Sequence, residues 1–148
     1  MASTFDKMNL KDQKQLLVLN SPASFESQLK TLRGVTVQRD LKNAPQIEFS
    51  LAFVTKQKEV DTLGKAIAKK AQGDAVVWFA YPKGSSKKYK SEINRDSGWK
   101  ILGAAGFEPV RMVAIDEDWS AVRFRRAEFI KTLTRGKEQR MSAQGKAR

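Results

Sequence analysis

Apolar positions recur with two different periods along the chain, and the switches between them mark out the elements. Gln15-Leu16-Leu17-Val18-Leu19-Asn20 is a short apolar run halted by Asn20-Ser21-Pro22. It predicts a buried strand and then a helix start, with Ser21 as N-cap and Pro22 in the first helical position. Phe25, Leu29 and Leu32 follow at helical spacing as far as Gly34, a C-terminal stop. Val35 and Val37 alternate with Thr36 and Gln38 as a second strand, broken at Asn43-Ala44-Pro45. Ile47, Phe49, Leu51 and Phe53 alternate with Glu48, Ser50, Ala52 and Val54, a third strand covered on at least one face. Val60, Leu63, Gly64, Ile67, Ala68 and Ala71 share one helical face, and Gly73 closes that helix.

The longest apolar run, Ala75 to Tyr81, empties into Pro82-Lys83-Gly84-Ser85-Ser86-Lys87-Lys88-Tyr89-Lys90, so a buried central strand ends in a basic, hydroxyl-rich loop. Ser91 to Ala105 is expected to be helical, with Trp99, Leu102 and Ala105 on one face, Gly106 as its stop, and either Ser91 or Asp96 as its cap. Phe107 to Ile115 and Trp119 to Arg126 flank Asp116-Glu117-Asp118 as an antiparallel hairpin, and Pro109 places the first of these strands at or near a sheet edge. Strands alternating with helices and closed by a hairpin predict an α/β, Rossmann-like three-layer sandwich, a mainly parallel sheet with a C-terminal antiparallel hairpin. The chain divides into an N-terminal segment (1–14), a single α/β domain (15–131) and a basic tail (132–148) with almost nothing to bury, expected to be disordered.

Composition narrows the chemistry. The chain has 148 residues with 41% hydrophobic and 30% charged content, which suits one folded domain. Lys plus Arg number 28 against 16 Asp plus Glu, a net charge of +12 and a pI near 10.1, which favours an acidic partner electrostatically. There is no cysteine and no histidine. Thiolate nucleophiles, Cys-built zinc sites and the usual neutral-pH general base are therefore closed off. Ala75–Tyr81 is far short of the roughly 20 residues that span a bilayer, and the first ten residues lack the apolar centre of a secretory signal, so a cytoplasmic bacterial protein without membrane attachment is expected.

The element order from Gln15 to Arg126, ending in Gly103-Ala104-Ala105-Gly106-Phe107-Glu108 and a hairpin, resembles a shortened class I methyltransferase-type Rossmann domain. Trp78 to Lys87 together with Ile115 to Phe124 also resembles an uncharacterised bacterial domain-of-unknown-function family, which brings no activity with it. The methyltransferase resemblance implies a glycine-rich turn after the first strand and an acidic residue at the end of the second. Here the turn is Asn20-Ser21-Pro22-Ala23, without glycine, and Asp40 stands near the acidic position. On that departure no bound cofactor is expected.

In open α/β sheets, ligands lodge beyond the carboxyl ends of the strands. That rule gathers Asn20, Ser21, Thr55 and Lys56 with Tyr81, Lys83, Gly84, Ser85, Ser86, Lys87, Lys88 and Tyr89 as ligand-binding candidates on one rim. Gly84 permits an unusual backbone, the serines offer hydroxyls, and the lysines supply charge suited to phosphate or carboxylate, although the spacing is not a Walker A loop. Tyr81, Tyr89 and Trp99 are candidates to stack a base, against packing in the core. Arg123, Arg125, Arg126 and Lys131 are candidates to follow a phosphate backbone, against charge that protects an edge strand. Asp116-Glu117-Asp118 is read as a solvated hairpin tip, so no metal site is expected, and no catalytic residue is assigned. The expected function is a non-enzymatic domain binding an anionic partner, nucleic acid or a phosphate-containing ligand, at this rim. The alternatives are a divergent methyltransferase-like or nucleotide-using enzyme, and a protein-interaction module.

Overall fold

The computed structural model describes residues 4–8, 10, 13–32, 34–42, 46–93 and 98–127. The expected tail and Lys131 lie outside them. In chain order the elements are α1 (Thr4–Lys7), β1 (Gln15–Leu19), α2 (Ala23–Leu29), β2 (Thr36–Gln38), β3 (Ile47–Phe53), α3 (Gln57–Lys70), β4 (Ala71–Pro82), α4 (Lys100–Ala104), β5 (Phe107–Ala114) and β6 (Trp119–Arg126).

The strands form a six-stranded sheet in the order β2-β1-β3-β4-β6-β5. The pairs from β2 through to β4 are parallel, whereas β4–β6 and β5–β6 are antiparallel. Strand periodicity sorts the side chains onto two faces. Leu17, Ala52, Val77, Phe79 and Phe124 pack with Val60 and Ile67 of α3 and Leu102 of α4. Leu16, Val18, Phe49, Leu51, Phe53 and Trp78 pack with Phe5 and Met8 at the amino end and Phe25 of α2. The result is the expected Rossmann-like three-layer sandwich with its antiparallel hairpin. No helix among the described residues is long and apolar enough to cross a membrane.

Several local expectations shift. The second helix starts at Ala23, with Pro22 rather than Ser21 in the N-cap position, and it ends at Leu29, short of Gly34. α3 stops at Lys70, and β4 takes over at Ala71, where Arg126 Nη2 donates to the Ala68 and Ala71 carbonyls and so satisfies part of the helix end. Of the helix expected over 91–105, the described residues form α4, while 94–97, with the candidate cap Asp96, lie outside them; Ser91 turns on itself, its hydroxyl accepting from Ile93 N and donating to Ile93 O. The amino end contributes to the core in a way its composition conceals: Phe5 and Met8 are buried, and the Met8 carbonyl accepts the Trp78 indole N–H at 2.9 Å.

Candidate functional site

β2 and β3 lie on opposite sides of β1, so the chain reverses its direction of sheet growth between β1 and β3. The crevice beyond the carboxyl ends of these two strands is where open α/β sheets take ligands. Asn20, immediately after β1, has φ 58, the only positive φ outside glycine among the described residues. A left-handed backbone is uncommon outside glycine, and asparagine is one of the side chains that tolerates it. The Asn20 amide donates to the Phe53 carbonyl at 3.4 Å and so crosses the crevice from β1 to β3.

Carboxylates stand on both sides of this crossing. After β1, Ser21 Oγ donates to Glu26 Oε2, and Arg39, following β2, donates from Nη1 to Oε2 and from Nη2 to Oε1, both at 2.8 Å. The hydrogen bonds from Arg39 and then Ser21 lower the Glu26 pKa to about 2, and Glu26 in turn raises that of Arg39. After β3, Glu59 Oε1 accepts from Thr55 N, Thr55 Oγ1 and Lys56 N at 2.8, 3.2 and 3.1 Å. Glu92 accepts from Gln57 N at 2.9 Å, and its own N–H donates to the Thr55 carbonyl at 2.8 Å. The amino end of α3, a natural seat for an anion, is thus already occupied by carboxylates of the chain.

The basic loop follows the same logic. Lys83 N donates to the Asp118 carbonyl and Ser86 Oγ donates to Asp118 Oδ1, each at 2.8 Å, while Ser86 Oγ accepts from Lys88 N and Tyr89 N. Tyr89 packs on Trp119 with ring centroids 5.0 Å apart, and Trp119 continues to Phe53 at 5.1 Å. Tyr81 and Trp99 are buried and 5.9 Å apart on the opposite face of the sheet. The rim therefore brings Asn20, Ser21, Thr55 and Lys56 together around β1 and β3, while Lys83–Tyr89 is fastened to the hairpin. Gly84, Ser85, Lys87 and Lys88 remain exposed on that loop.

Among the proposed phosphate contacts, Arg126 is committed to the α3 carbonyls and lies 4.7 Å from the Phe107 ring centroid. Arg123 and Arg125 are half-buried on β6, which is an interior strand rather than an edge. Among the described residues no group of three or more acidic side chains could hold a metal ion; Asp116 Oδ1 instead accepts from Asp118 N and Trp119 N and shapes the hairpin tip. Sequence reasoning overlooked the carboxylates that occupy the rim. The Lys56-Gln57-Lys58-Glu59 spacing, with Glu three residues beyond the N-cap, was a legible capping signal. The place of Asp118 depended on strand register.

No protein-family profile and no curated protein matches the chain. Solved structures do. The N-methyltransferase NodS from Bradyrhizobium japonicum WM9 is 13% identical, with 76% of this chain and 85% of that chain covered and a TM-score of 0.45. A type 11 methyltransferase candidate from Sulfolobus solfataricus is 10% identical, with 84% and 88% covered and a TM-score of 0.46. The pyocyanin biosynthetic protein PhzM is 12% identical, with 79% and 52% covered and a TM-score of 0.47. At these identities the similarity is one of fold.

The expectation of a non-enzymatic anion binder at the rim is corrected. The solved structures the chain resembles include methyltransferases, a likeness of fold alone. The rim itself gives the physical reason: Glu26, Glu59 and Asp118 already accept from the Ser21, Thr55 and Ser86 hydroxyls, which were assigned to an incoming anion.

Proposed function

We propose that the domain is a divergent methyltransferase-like or nucleotide-using enzyme whose ligand binds at the β1/β3 switch point. The observation that carries this reading is Asn20, held left-handed where the fold places ligands. A glycine-free turn still reaches the conformation that lets backbone approach a ligand, because Asn20 adopts it. The flanking groups are acceptors, Glu26 beside Ser21 and Glu59 beside Thr55. Acceptors suit a ligand rich in hydroxyl and amino donors, such as the ribose and amino acid of S-adenosylmethionine, better than a bare phosphate. These acceptors fit that group, which when bound would bring a transferable methyl; Glu26 and Glu59, keeping their Arg39 and Thr55 partners, would orient it through their remaining lone pairs. A cytoplasmic bacterial protein of the uncharacterised family that 78–87 and 115–124 resemble is consistent with this reading.

The test is a thermal-shift series with S-adenosylmethionine, S-adenosylhomocysteine, adenosine, ATP and inorganic phosphate at two salt concentrations. A stabilisation by the adenosyl compounds that survives added salt, with none from phosphate, is the expected result. Stabilisation by phosphate alone, or by none of the five, overturns the reading.

A further inference from the structure

We propose that the groove between α3 and α4 docks an acidic amphipathic helix of a partner protein. This surface is on the face of the sheet covered by α3 and α4, and is independent of the switch-point crevice. The two helices cross closely at Gly64, where an added Cβ would lie 3.0 Å from Ile101 Cγ2 and 3.5 Å from Leu102 Cδ2. Beyond that crossing the side chains shrink to Ala68, Ala104 and Ala105, and the helices leave an open groove floored by these alanines and Ile101. Lys65 and Lys69 stand on its rim, both exposed, and neither forms a salt bridge among the described residues.

The chemistry of the groove selects its occupant. Small apolar residues on the floor accept leucine-sized side chains at i, i+3, i+4 and i+7 of an incoming helix. Two cations one helical turn apart match carboxylates flanking that stripe, and opposite charge sets orientation and encounter rate. A nucleic acid would use the lysines but would leave the alanine and Ile101 floor without a complement. A second copy of this chain, also carrying +12, would be repelled.

The experiment titrates the full chain with three labelled helical peptides by fluorescence anisotropy: a leucine stripe flanked by Glu, the same stripe flanked by Lys, and the Glu peptide with its leucines changed to Ser. A DNA oligonucleotide is the fourth probe. Only the Glu-flanked stripe is expected to bind well. Lys65→Glu/Lys69→Glu, exposed positions that leave the core untouched, should weaken it about tenfold. Amide exchange should slow over 61–69 and 101–105 in the complex. Equal binding of the Ser or Lys peptide, tighter binding of the oligonucleotide, or an unchanged affinity in the double variant overturns the proposal.

Discussion

Arg39 closes on Glu26 through two parallel hydrogen bonds of 2.8 Å, joining the end of β2 to the first turns of α2. The pair also draws in the Ser21 hydroxyl, from 3.2 Å at Arg39 Nη1, and so shapes one wall of the crevice. Because the folded pKa of Glu26 is depressed to about 2, its contribution to stability is fully present above the ordinary glutamate pKa near 4.3 and fades as pH falls toward 2. The side chains of Arg39 and Glu26 are 50% and 38% exposed, so salt should weaken the effect. An NMR titration of Glu26 should give a midpoint near 2 in the native protein, moving up toward the ordinary range in Arg39→Gln.

Ser86 holds the loop after β4 to the hairpin. Its hydroxyl donates to Asp118 and accepts from two backbone amides, so Ser86→Ala leaves three groups without this partner. The expected cost is about 1 kcal/mol, a fall in melting temperature of roughly 2–4 °C for a domain of this size. Amide exchange at Lys88 and Tyr89 should accelerate with it. Unchanged exchange at both amides would mean that the Tyr89–Trp119 packing and the Lys83–Asp118 backbone bond hold the loop without the Ser86 hydroxyl.

Two glycines near the rim should respond to very different degrees. Gly98 has φ +99, and a Cβ there would lie 2.4 Å from Ile93 Cγ2, a buried side chain with little room to move. Gly98→Ala should destabilise by roughly 1–3 kcal/mol. Gly84 has nothing within 4 Å of an added Cβ and no positive φ, so Gly84→Ala should stay within about 0.5 kcal/mol of the native protein. Chemical denaturation of the two variants measures the difference directly.

The layers of the fold were legible because burial enforces periodicity. The 47–54 alternation, the α3 stripe and the hairpin flanking 116–118 appear where their patterns put them. The amino end was not legible: Phe5 sits on a helix of four and Met8 just beyond it, and their burial depends on a distant surface formed by Phe25 and Trp78. The rim was half legible. Sheet topology gathers Asn20, Ser21, Thr55 and Lys56, but counting lysines could not reveal that Glu26 and Glu59 would fold onto these donors, or Asp118 onto Ser86. Net charge describes the whole surface, whereas an anion site depends on which donors stay free.

The central claim is that a ligand of the adenosyl class binds at the β1/β3 switch point, and backbone NMR of the labelled protein titrated with S-adenosylmethionine tests it most directly. The predicted result is chemical-shift change centred on Leu19–Ser21, Phe53–Thr55 and Arg39, weakened in Asn20→Leu, which removes the amide and disfavours the left-handed turn. Shift changes confined to Lys83–Lys90, or none at saturating ligand, would contradict it.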